Sequence, residues 1–75
     1  VLSRAYCHLC HDMVAALGPL GVTWPFELRI IDVDADPALE ARYGDLVPVL
    51  LAGDREICHY HLDYAALHAY LTEIQ

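Results

Sequence analysis

Three features of this 75-residue chain predict an α/β fold. Hydrophobic periodicity switches between two and 3.6 residues along its length. Prolines, glycines and capping acids fall where the periodicity changes. A Gly53-Asp54 pair separates two adjacent strand-like runs, the signature of a hairpin. The order that results is strand, helix, strand, helix, strand, strand, helix, in one domain spanning residues 1–75. No internal repeat, linker or low-complexity tract interrupts it.

Each element has a local cause. Val1-Leu2-Ser3 reads as the tail of an apolar strand. Cys10, Met13, Val14 and Leu17 recur at i, i+3, i+4 and i+7, which predicts a helix over about residues 8 to 17, ended by Gly18-Pro19. Phe26, Leu28 and Ile30 alternate with Glu27 and Arg29 and run on to Ile31 and Val33, as expected of an edge strand with one wet face. Asp36-Pro37 supplies an N-cap and a first-turn proline for a short helix that Gly44 should close. Val47 to Leu51 and Arg55 to His59 form the antiparallel hairpin. Asp63 caps the last helix, whose predicted buried stripe is Leu67, Tyr70, Leu71 and Ile74, with Leu62 and Leu67 placed to form a hydrophobic staple.

Composition narrows the function. A single domain of this length sits near the lower limit for a core without staples. Its apolar fraction is high, 57%, but the longest apolar run, Leu46 to Ala52, is far too short to span a bilayer. Eleven acids against four arginines and no lysine give a net charge of −7, which repels phosphate backbones and anionic membranes. Neither nucleic acid nor membrane is therefore an expected partner. No secretory-type segment is seen, so the expected location is cytoplasmic. Three cysteines, an odd number, do not make a secreted disulfide scaffold; in a reducing compartment a close pair is catalytic or metal-binding more often.

The stretch Tyr6-Cys7-His8-Leu9-Cys10-His11-Asp12 carries the chemistry. Cys7 and Cys10 fit a redox dithiol, formally fit a c-type haem attachment motif with His11, and would also serve as zinc ligands together with Cys58, His59 and His61. The predicted helix puts Cys7 at its N-terminal entrance, where unpaired N–H groups and roughly half a positive charge favour a thiolate. Arg4 and His8 are near enough in sequence to add to this. Cys7 is thus expected to be substantially ionised near neutral pH, whereas a free cysteine, with a pKa of about 8.5, is not.

The element order, the Cys-x-x-Cys at the first strand–helix junction and the Val47-Pro48 dipeptide opening the third strand resemble the thioredoxin superfamily. The chain is most similar to its glutaredoxin branch, and there to small bacterial glutaredoxin-like proteins. The resemblance covers essentially the whole chain. It implies a thioredoxin-like βαβαββα fold, with a four-stranded mixed sheet flanked by helices. It further implies Cys7 as nucleophile, Cys10 as resolving thiol and a cis bond before Pro48 whose neighbouring Val47 backbone pairs with substrate. The activity implied is thiol–disulfide exchange on a disulfide-containing protein or a glutathione mixed disulfide. No tightly bound cofactor is implied; glutathione would be a co-substrate, held by Arg4, Val47 and Asp63 beside the active-site dipeptide His8-Leu9.

The departures from that family bear on glutathione and on redox potential. His8-Leu9 replaces the Gly-Pro of thioredoxins and the Pro-Tyr of many glutaredoxins. Leu46 stands where Thr often precedes Val-Pro, and Cys58-His59 about where a Gly-Gly pair admits the tripeptide. Two other readings stand beside the enzyme: a non-catalytic module that binds an extended peptide, and a zinc-binding domain. Haem attachment is the weakest reading, because a βαβ arrangement offers no haem pocket and no second axial ligand. Zinc would need two more ligands, and the resembling fold places the last strand at the sheet edge, away from the first helix. Cys58 reads as a core filler. His59 and His61 share a face if their segment is extended, His11 and His68 read as solvated helix positions, and Tyr6 either shields the dithiol or packs on the sheet.

Overall fold

The computed structural model describes residues 1–74. Seven elements follow in the predicted order: β1 (Leu2–Ser3), α1 (His8–Thr23), β2 (Ile31–Asp32), α2 (Pro37–Tyr43), β3 (Val49–Ala52), β4 (Arg55–His59) and α3 (Tyr64–Glu73). The strands form one sheet in the order β2-β1-β3-β4. β1 is parallel to β2, with Leu2 opposite Ile31, and antiparallel to β3, with Leu2 opposite Val49. β3 and β4 are antiparallel around a two-residue turn. Gly53, at φ +62°, opens that turn, a conformation glycine takes without a Cβ penalty. This mixed four-stranded sheet with three helices is the thioredoxin-like plan.

Alternation along the strands splits the core in two. Val1 and Leu50 meet Met13 and Leu17 of α1 and Leu67 and Leu71 of α3 on one face. On the other, Leu2 and Val49 pack with Val33 and Tyr43, so α2 covers that side. An irregularity between Leu50 and Leu51 shifts the β4 register, pairing Leu50 with Cys58 but Leu51 with Glu56. The extra residue, Ile57, lets Ile57 and Cys58 both pack on the first core. Bulging explains why β4 lacks a clean period of two.

Several boundaries differ from the sequence-based expectation. Helix α1 does not stop at Gly18-Pro19 but continues to Thr23, with Trp24 N–H donating to Leu20 O at 2.9 Å. An interior proline costs about 3 kcal/mol. Here Gly18 and Pro19 face solvent, while Leu20 and Trp24 beyond them pack on the first core and offset that cost. Strand β2 is confined to Ile31–Asp32. Phe26 and Leu28 are half-buried and Glu27 and Arg29 exposed, so the alternation reports burial. The ladder begins only where Val1 N donates to Arg29 O at 2.6 Å and Ile31 N to Val1 O at 2.9 Å.

Val33, expected in that strand, instead opens a 3-10 turn whose Asp32 carboxylate accepts from Asp34 N–H at 2.9 Å. Gly44 ends α2 without a left-handed residue, at φ −53°, and leads into a second 3-10 turn. A Cβ there would lie 2.6 Å from a Glu40 carboxylate oxygen and 3.1 Å from the Arg4 guanidinium, so glycine serves close approach. Asp36 caps α2 as expected, accepting from Ala38 N–H at 2.9 Å, and Asp63 caps α3, accepting from Ala66 N–H at 3.0 Å. Leu67 and Leu71 are buried, Tyr70 is half-buried and Ile74, past the end of α3, is exposed. Leu62 packs on the same core as Leu67, consistent with the staple.

Candidate functional site

Strand β1 ends at Ser3, and a turn through Ala5 and Tyr6 delivers the chain to α1. Tyr6 takes φ +61°, and its side chain is 102% exposed. Neither expectation for it holds, packing on the sheet or shielding the dithiol: the left-handed turn throws the ring outward into solvent. Cys7 is the N-cap of α1, and its Sγ accepts the Cys10 backbone N–H at 3.1 Å. A cysteine thus takes the place that Ser, Thr or Asp fills in most helices. Cys7 and Cys10 are joined as a disulfide, their Cα atoms 5.2 Å apart, well inside the range such a bond requires. Their exposure is unequal. Cys7 is half-buried, whereas Cys10 is 1% exposed, one turn inside the helix.

Sheet topology brings three more segments to this end of the molecule. β1 runs toward Cys7, antiparallel β3 starts beside its end, and β4 finishes there. The Val47–Pro48 peptide that precedes β3 is cis, with Pro48 buried and Val47 half-buried. Tyr60 leaves β4 at φ +64°, held by its N–H to Pro48 O and by its hydroxyl to Asp45 O, both 2.9 Å. His61 N–H then turns back to His59 O at 2.7 Å. This segment is not extended, so His59 and His61 do not share a strand face. A groove of about 250 Å³ runs between α1 and this loop, with Leu9 and Asp12 on one side and Tyr60 and Tyr64 on the other. A larger apolar cavity of about 500 Å³ lies at the opposite end of the sheet, around Val1, Gly53 and Ile57, far from the cysteines along the strands.

Arg4 is committed elsewhere. Its Nε donates to both Asp34 carboxylate oxygens at 3.1 Å and its Nη2 to Glu40 at 3.2 Å. Hydrogen bonds to Asp34 foremost, with Glu40 adding, hold the guanidinium above its ordinary pKa. Its charge is therefore balanced by two carboxylates, and the helix terminus is left as the main support for an anion at Cys7. His8 is exposed. Cys58 lies half-buried against the first core, and burial pushes its thiol pKa up. His59 Nδ1 pairs with Glu56 at 3.2 Å. Among the described residues no three His, Cys, Asp or Glu side chains converge as a metal site.

The sequence matches the description "Glutaredoxin-like domain (DUF836)" over residues 1–72. The chain belongs to this glutaredoxin-like family. It is 34% identical over 74 residues to the uncharacterized proteins Rv0508 of Mycobacterium tuberculosis and Mb0520 of Mycobacterium bovis, covering 92% of this chain and 76% of theirs. The solution NMR structure of protein Ne2328 from Nitrosomonas europaea superposes with a TM-score of 0.87 at 45% identity. That match covers 95% of this chain and 86% of the other. A cysteine pair at disulfide distance in a glutaredoxin-like domain fits a thiol redox module.

Within this glutaredoxin-like domain, Cys7, His8, Leu9 and Cys10 share the start of α1, and Val47 and Pro48 precede β3 at the same end. Asp63 is at that end too, but its carboxylate is occupied in capping α3. Arg4 is turned to the acids Asp34, in the 3-10 turn after β2, and Glu40 of α2. Sequence reasoning missed Tyr60, Tyr64 and Asp12 as lining of the groove beside the dithiol. The helical spacing of Leu9, Asp12, Met13 and Ala16 was a usable signal, since i, i+3, i+4 and i+7 face one way. Nothing in sequence announces that Tyr60 closes the other side.

Proposed function

We propose that this glutaredoxin-like domain is a thiol–disulfide oxidoreductase with Cys7 as nucleophile and Cys10 as resolving thiol. The observation that carries the reading is the unequal burial of a bonded pair at a helix N-terminus. Only the Cys7 sulfur is within reach of a large substrate, and it already accepts the Cys10 N–H. In the reduced protein that N–H and the helix terminus favour the Cys7 thiolate. The thiolate attacks one sulfur of a substrate disulfide, breaking the S–S bond and expelling the other sulfur as a thiolate that takes up a proton. The mixed disulfide holds the substrate to Cys7. Deprotonated Cys10 then attacks the Cys7 sulfur, releases the second substrate thiol and leaves the Cys7–Cys10 disulfide. Two electrons pass from the dithiol to the substrate, and two equivalents of an external thiol such as glutathione restore the dithiol.

In this reading the substrate is a protein disulfide or a glutathione mixed disulfide, and the Val47 backbone beside Pro48 guides the chain that carries it. His8 and Leu9 border the attacking sulfur. Redox titration with mass mapping tests the proposal. A reversible Cys7–Cys10 couple is expected, Cys10→Ser should accumulate the mixed disulfide, and Cys7→Ser should abolish exchange. Exchange that survives Cys7→Ser would overturn it. Peptide capture by Cys7→Ser, with no turnover by the parent protein, would favour a module that only binds.

A further inference from the structure

We infer that the groove between α1 and the loop from Tyr60 to Tyr64 is a specificity site for a cationic side chain of a polypeptide substrate. The inference rests on the exchange reaction proposed above and names its substrate class. Leu9, inside the dithiol motif, opens the groove; Met13 lies at its floor and Tyr60 and Tyr64 at its wall. Asp12 is its one carboxylate, exposed and making no hydrogen bond or ion pair among the described residues. A slot of mixed polarity, with aliphatic side chains from α1, tyrosine walls, His61 and an unpaired acid, suits the long stem and charged head of arginine or lysine. The wall is rigid, because Tyr60 is pinned to Pro48 O and Asp45 O.

Position fits the chemistry. Asp12 follows Cys7 by five helical residues, a rise of about 7.5 Å along α1 and a turn of about 140° around it, onto the flank where Leu9 also lines the groove. An extended substrate covers that rise in about two residues, and the long stem of its basic side chain covers the turn around the helix. A basic residue two positions from the substrate cysteine would thus reach Asp12 while its disulfide meets Cys7.

Charge balance argues against glutathione in the same place. The tripeptide brings two carboxylates to a chain of net charge −7 without lysine. Arg4, Arg29 and Arg55 are paired with Asp34 and Glu40, with Glu27 and with Glu73, and Arg42 stacks over Tyr43 at 5.1 Å on α2. None of the four lines the groove. A cationic peptide is drawn to this surface and an anionic one repelled.

The test uses peptides of equal length, each in mixed disulfide with a chromophoric thiol, carrying Arg, Gln or Glu two residues from the cysteine, with oxidised glutathione as a fourth substrate. Rates are read at one fixed pH, at low and high salt. The Arg peptide should react faster than the Glu peptide by about fivefold or more, and salt should narrow the gap. Glutathione disulfide should rank with the Glu peptide. Asp12→Asn should collapse the Arg-to-Glu ratio, whereas Asp54→Asn, the same charge change at the distant hairpin turn, should keep it. Equal rates for Arg and Glu peptides, or a ratio that survives Asp12→Asn, would overturn the inference while leaving the exchange reaction standing. No reaction at Cys7 with any of the four substrates would overturn both.

Discussion

Tyr6 and Tyr60 both hold a left-handed backbone that a bulky residue seldom takes, at a cost of about 1–2 kcal/mol each. They differ in what offsets it. Tyr60 has two hydrogen bonds and a place in the groove, so Tyr60→Phe, which loses the bond to Asp45 O, should lower stability by about 1 kcal/mol in urea titration. The Tyr6 ring projects into solvent, so Tyr6→Gly should raise stability by about 0.5–1 kcal/mol in the same assay. Cys58 offers a prediction in pH. Burial raises its thiol pKa first, with the Asp63 and Glu56 carboxylates pushing the same way and the Asp63 backbone N–H offsetting part. A raised folded-state pKa means a contribution fully present below the unfolded thiol's value, about 8.5, and lost as pH climbs through the folded one. Cys58→Ala should therefore flatten the alkaline end of the stability profile. By mass-mapped iodoacetamide labelling in the reduced protein, Cys58 should react only at higher pH than Cys7.

Among the elements, those whose ends are set by neighbouring residues were legible in the sequence. Asp36-Pro37 started α2, Asp63 started α3 and Gly53-Asp54 turned the hairpin where expected, because a carboxylate or a missing Cβ acts over three or four positions. Asp36→Ala should accordingly cost about 1 kcal/mol, seen as a lower thermal midpoint. Boundaries decided by distant partners were not legible. Leu20 and Trp24 carry α1 past Pro19 because the first core waits for them, and the Phe26 to Ile30 stretch lacks a ladder although its alternation is that of a strand. The site divides in the same way. Cys7, Cys10 and Val47-Pro48 are read from motifs, whereas the groove joins α1 to a loop some fifty residues on. The ion pairs of Arg4 were hidden for a related reason: its acids come from the turn after β2 and from α2, too remote for spacing to reveal.

At the scale of the whole molecule the two ends of the sheet have different work. Dithiol, cis-proline and groove gather where β1 and β4 finish, and Leu17, 1% exposed, ties α1 to the sheet closer to the other end. Leu17→Ala should cost about 3 kcal/mol, a large share of the roughly 4–11 kcal/mol a chain this size commands. Chemical denaturation should show that loss, while the rate of the proposed exchange per folded molecule stays near its original value. The Gly53–Asp54 tip lies at the pole remote from the sulfurs, with both residues exposed and no space filled beside Gly53. A fluorophore, an affinity tag or a short guest sequence grafted at that tip would ride on the protein without shadowing Cys7. The hairpin is thus a natural handle for immobilising the protein and testing whether Cys7 forms the mixed disulfides proposed above.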